Sequence, residues 1–209
     1  MKTSIVLKGL LGTAALTLPL IASAASTVTT GAGALTAAAT VNFTVVIPQF
    51  LYLRVGTGSA YASGTLATVN TTDLITFTVP AGTVGNGTAV AGTGGDLSAG
   101  VETAAVLGNG GNVTLTAAAT GALSDGAGDS IAYTQITTTA AANTAGYSTL
   151  AAPALSNGSS SELITATGKI VQADAKWTYG YLNTASAPSG TYGGTTALNG
   201  TVTYTATMP

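Results

Sequence analysis

Thr201-Val202-Thr203-Tyr204-Thr205-Ala206-Thr207 decides the fold. Every second residue is apolar, and every residue between is threonine. Successive side chains of a β-strand point to opposite faces, so this stretch offers one face to a core and the other to water. β-Branched and aromatic residues suit that pleated, half-buried surface. The same period of two recurs along the chain. Asp174 to Leu182 sets Trp177, Tyr179 and Tyr181 against Lys176 and Thr178. Asn112 to Ala118 alternates Val113, Leu115 and Ala117 with threonines. Glu162 to Val171 contains Gly168, which reads as a bulge or a close backbone approach. Ile131 to Ile136 and Leu74 to Val79 add shorter runs. Thr40 to Ile47 places Val41, Phe43, Val45 and Ile47 on one face. Pro48 has no N–H to give and stops that ladder, and Phe50 to Val55 resumes it. These two runs read as a central strand bent at Pro48, or as two strands that switch sheets there.

Turn chemistry separates the runs. Asn86-Gly87, Asn109-Gly110, Asn157-Gly158 and Asn199-Gly200 tolerate positive φ. After the first two dozen residues, no segment shows a sustained 3.6-residue apolar stripe with caps. The alanine clusters 37–39, 117–119 and 140–142 are short and flanked by threonine, so strand ends or at most single turns are expected there. Ala81 to Gly111 reads as a long glycine-rich connection, either a surface loop or a poorly packed hairpin. No composition break divides the chain. The expectation is an all-β fold, a single antiparallel immunoglobulin-like β-sandwich over residues 40–209, with an extended N-terminal segment.

Residues 1–24 read as a secretory signal peptide. Lys2 and Lys8 give a basic start, Gly9 to Ile21 is apolar, and Ala22-Ser23-Ala24 matches a small-x-small cleavage site. A transmembrane anchor is disfavoured because the apolar run falls short of the ~20 residues a span needs. The expected product begins at Ala25, is secreted to the extracellular space or cell surface of a bacterium, and carries no membrane span. Its cations are Arg54, Lys169 and Lys176 against seven acids, a formal charge of −4. That balance argues against nucleic acid, whose affinity comes mainly from Lys and Arg on phosphates. With no cysteine there is no disulfide, and one core of this length can stabilise itself without one. A surface of hydroxyls and amides with few ions is water-compatible but does not repel its own copies.

Residues 25–39 differ from the rest. Val28 and Leu35 are the only large apolar side chains in this Ser/Thr/Ala/Gly stretch. Two readings stand: an unordered tail, or a donor strand that adds to a neighbouring subunit through Val28, Thr30, Ala32, Ala34 and Leu35. The C-terminal stretch from Gly200 to Pro209, and the block Trp177-Thr178-Tyr179-Gly180-Tyr181 followed by a glycine-rich hairpin, resemble the close of bacterial pilin-like β-sandwich subunits. Chaperone–usher pilins usually carry a cysteine pair that this chain lacks. The resemblance implies a subunit that polymerises with copies of itself through a borrowed strand, with a periplasmic chaperone as a further partner.

The chain is poor in reactive groups. Histidine and cysteine are absent, which removes Ser-His-Asp and Cys-His catalysis, and no cofactor is expected. Asp125 and Asp129, in Ser-Asp-Gly-Ala-Gly-Asp-Ser, could form a calcium loop. The favoured reading is a solvated hairpin tip with Asx turns. Trp177, Tyr179 and Tyr181 would stack on sugar rings if exposed, and would be core if buried; burial is favoured for a lone tryptophan. The expectation is therefore non-enzymatic: a structural subunit of a surface filament or biofilm matrix, or alternatively an adhesin or carbohydrate-binding module.

Overall fold

The computed structural model describes residues 26–58, 61 and 69–209. The expected signal peptide lies outside them. Two units are distinguished, one ending at Ile47 and one spanning Pro48–Pro209. No helix among the described residues is long and apolar enough to cross a membrane.

The second unit is all-β. Its strands are β1 (Leu51–Val55), β2 (Ile75–Thr76), β3 (Val90–Ala91), β4 (Thr93–Gly94), β5 (Val101–Gly108), β6 (Val113–Ala119), β7 (Leu123–Ser124) and β8 (Ser130–Ile131). They continue as β9 (Ile136–Ala141), β10 (Ser148–Thr149), β11 (Ser159–Ile164), β12 (Val171–Tyr181) and β13 (Val202–Thr207). β12 organises the larger sheet. Antiparallel β5 lies along one side of it, from Val171↔Gly108 to Thr178↔Val101, and antiparallel β9 along the other. β1 continues the sheet beyond β5, β3 pairs with the end of β12, and β10 adds a two-residue parallel pairing. The smaller sheet is β11-β6-β13, antiparallel throughout. β2 with β4, and β7 with β8, form short two-stranded ribbons.

The core follows from the alternation. Val171, Ala173, Ala175, Trp177 and Tyr179 of β12 are all buried, and they meet Ala104 and Val106 of β5 and Val113 and Leu115 of β6. Leu53, Val55, Tyr204 and Ala206 pack against this cluster from β1 and β13. Two sheets, antiparallel except for the β10–β12 pairing, thus enclose one apolar layer, the β-sandwich that period-two patterning specifies.

Four expectations are corrected. The supposed connection from Ala81 to Gly111 contains β5, a central strand; its Ala104-Ala105-Val106-Leu107 run is buried on both faces and so lacks alternation. Thr40 to Ile47 forms no strand, and the compact unit starts at Pro48 rather than Thr40. Gly168 is no bulge: with Lys169 it makes a tight turn closed by Thr167 and Ile170 (N···O 2.9 and 3.0 Å), both central residues having positive φ. Ile131 to Ile136 is divided by a 3-10 turn at Tyr133–Gln135.

Buried polar side chains hold the loops. Asp174, 5 % exposed, accepts hydrogen bonds from Asn143 Nδ2 (3.0 Å), Thr144 N (3.1 Å) and Thr144 Oγ1 (2.5 Å), fixing the chain after β9. Asn183 accepts from Gly85 N (2.9 Å) and donates to Thr83 O (2.7 Å), which shapes the loop ahead of β3.

Candidate functional site

The aromatic line of β12 is core. Trp177 is fully buried, and Tyr179 and Tyr181 nearly so. The Trp177 indole donates to Leu150 O at 2.8 Å and lies 5.4 Å from the Tyr204 ring. The Tyr179 and Tyr204 hydroxyls meet at 3.1 Å. Burial pushes the Tyr204 phenol up to about 12 and the Tyr179 phenol further in the same direction. No exposed stacking platform exists at Trp177, Tyr179 and Tyr181, because successive inward positions of a central strand all face the opposing sheet.

Asp125 and Asp129 sit at the tip of the β7–β8 hairpin. Asp125 Oδ1 accepts from Ala127 N (2.8 Å) and Asp129 N (3.0 Å), the self-capping of an Asx turn. Among the described residues no group of three or more acidic side chains is arranged to hold a metal.

One acidic cluster escaped the sequence reading. Arg54 of β1 pairs with Asp96 Oδ2 at 3.0 Å, and Asp96 Oδ1 accepts from Thr103 N at 2.7 Å. Asp73 accepts from Thr57 N (2.5 Å) and Thr57 Oγ1 (2.8 Å). Glu102, 7 % exposed, lies near both aspartates. Desolvation, helped by the charges of Asp73 and Asp96, raises its carboxyl from 4.5 to about 7. Arg54 and Glu102 are 48 positions apart, and the β1–β5 pairing together with the β2–β4 ribbon brings the cluster together. The geometry ties the loop ahead of β5 to β1. A cleft of about 280 Å³ near β10 is lined by Ser148, Ile164, Thr165, Ile170, Val171 and Ala173 among others, none of them titratable.

The remaining feature is the unit that ends at Ile47. Thr27 Oγ1 donates to Ala38 O (2.8 Å) and Thr29 Oγ1 to Thr36 O (3.1 Å), so these stretches lie side by side around the bend at Ala32 and Gly33. Val28, Thr30, Ala32, Ala34 and Leu35 are all exposed. Beyond them, Val41, Phe43, Val45, Val46 and Ile47 are 72–88 % exposed. Single exposed apolar residues need no explanation, but a contiguous apolar segment marks an interaction site.

Among the described residues β13 pairs only with β6, and β1 only with β5. An unpaired edge presents free N–H and C=O groups that can template a further strand. Comparison with known proteins gives no match: no family model fits the chain, and no curated protein or solved structure is similar to it.

Proposed function

We propose that this protein is a secreted, non-enzymatic structural subunit of a bacterial surface filament or extracellular matrix, whose copies join by β-strand complementation. The observation that carries the reading is the exposed N-terminal arm, which forms no ladder although its sequence has strong strand character. The arm supplies a strand, and a sandwich edge of the next copy receives it. Val28, Thr30, Ala32, Ala34 and Leu35 are the interface face proposed for residues 25–39. A periplasmic chaperone would cover the receiving edge before assembly. Low charge density supports close packing of copies, since little like-charge repulsion opposes it.

The adhesin alternative loses the residues on which it rested, because Trp177 has no exposed ring face. Negative-stain electron microscopy tests the proposal. The chain from Ala25 should form fibres or strand-swapped oligomers, and a version lacking residues 25–47 should not. Monodisperse particles of the longer chain over a wide concentration range would overturn it.

A further inference from the structure

Glu102 sits where a carboxylate is hard to accommodate. It is 7 % exposed and falls on the inward face of β5 with Ala104 and Val106. Its register partner is the fully buried Trp177 of β12. Among the described residues its carboxyl has no hydrogen-bond or ion-pair partner. Arg54 is engaged elsewhere, by Asp96 Oδ2 at 3.0 Å and, through Nε, by Gly56 O at 2.8 Å.

What Glu102 faces is a second carboxyl group. Gly56, just past the end of β1, marks the place. A Cβ there would collide with Asp73 Oδ2 and lie 2.8 Å from Glu102 Oε2, so the two oxygens flank one small space. Glycine, at φ 76°, lets both in. The other titratable groups around Glu102 add no positive charge. Asp96 faces it from the loop after β4, Tyr179 from β12 and Tyr204 from β13. Lys176 lies on the opposite, exposed face of β12. Two carboxyl groups in one desolvated space ionise together only at high cost, and the favoured state keeps one proton between them. Glu102 holds it, because Asp73 already accepts from Thr57 N and Thr57 Oγ1, and those bonds favour its charged form. Asp73 also begins the segment that enters β2. Ile75 and Phe77 of this segment pack against the core, and the Phe77 ring lies 6.1 Å from that of Tyr181.

We propose that Glu102 and Asp73 form a proton-held latch: neutral Glu102 donates to the Asp73 carboxylate and holds residues 73–77 against the core, and loss of that proton to water loosens them. The device does not depend on how copies join. Glu102 binds its proton more tightly in the closed state. The latch is therefore fully closed below about 4.5, weakens as pH rises to about 7, and loses nothing more above that.

The chain has two glutamates, Glu102 and Glu162, so carboxyl-13C glutamate labelling of the full chain gives two signals. The one missing from Glu102→Gln should titrate near 7 in the parent. Asp73→Asn removes the like charge and should lower that midpoint by about one unit. Circular dichroism checks that both variants fold. An unchanged midpoint in Asp73→Asn would mean that burial alone raises Glu102, and would overturn the shared proton. Amide exchange reads the latch directly. Corrected for intrinsic rates, exchange of the Thr57 N–H and of the β2–β4 ladder should speed up by as much as about 10-fold per pH unit between 4.5 and 7. Glu102→Gln should abolish that rise, and β6 should show none in either protein. A parent without the rise, or a Glu102→Gln variant that keeps it, would overturn the proposal.

Discussion

Replacing Trp177 by phenylalanine tests whether the aromatic line is sealed core. The substitution keeps an aromatic ring in the same strand position and removes two things. One is the indole donor, which leaves Leu150 O without its 2.8 Å partner in a fully buried setting. A buried acceptor orphaned in this way costs about 1–3 kcal/mol. The other is the outer part of the bicyclic ring, packed 5.4 Å from Tyr204. Trp→Ala substitutions in cores cost about 3–5 kcal/mol, and phenylalanine restores much of that volume, so a further loss of about 1 kcal/mol is expected. The total is about 3 kcal/mol, which in a unit of this size lowers Tm by roughly 6–12 °C. The assay is urea and thermal unfolding followed by circular dichroism, because the variant lacks the chain's only tryptophan. The parent's emission should be blue-shifted and protected from acrylamide. A variant within 1 kcal/mol of the parent, or a red-shifted and quenchable parent emission, would refute the reasoning and restore the exposed-platform reading.

Asp174→Ala should cost about 3 kcal/mol, since it orphans three donors at Asn143 and Thr144; the urea midpoint reads it, and an unchanged midpoint would mean that water satisfies them. Glu102 binds its proton more tightly folded than unfolded, so its contribution falls as pH rises from about 4.5 to 7 and is flat above that window. Glu102→Gln should therefore flatten the dependence of stability on pH across that window, and a parent-like slope would count against the raised carboxyl. At the Gly168-Lys169 turn, Lys169 holds φ 69°, a conformation that costs a residue with a Cβ about 1–2 kcal/mol. Exchanging the pair for Asn-Gly should stabilise the unit by about 1 kcal/mol, with thermal melting as the check, and a lower Tm would show that the turn is made otherwise.

Half-buried strands were legible because their two faces differ. β6, β12 and β13 all announce themselves by period two, and each lies within two or three residues of its expected position. β5 was illegible for the opposite reason. Both faces of Ala104–Leu107 are buried, so its sequence shows a short apolar run between glycines, which could equally be loop. The acidic cluster was hidden because Arg54, Asp73, Asp96 and Glu102 meet only through sheet pairing, and register across a sheet is not written in local spacing. Burial of the aromatic line was legible in kind, since a lone tryptophan flanked by tyrosines at period two fits a sandwich interior. Its partner Leu150 O was not, because that carbonyl arrives from the connection between β10 and β11.

Thr40–Ile47 presents the reverse case. Its pattern is as strong as that of β13, yet a single chain pairs β13 and leaves this segment unpaired. Sequence choices in a folded protein usually agree across levels, and a local rule that fails without compensation points to a site whose partner lies outside the chain. A β-branched and aromatic segment that stands in water invites aggregation. The strand complementation proposed above would supply the missing ladder from a second copy. In the single chain Thr40–Ile47 forms no strand, so its strand-like sequence is accounted for only if the proposed partner exists.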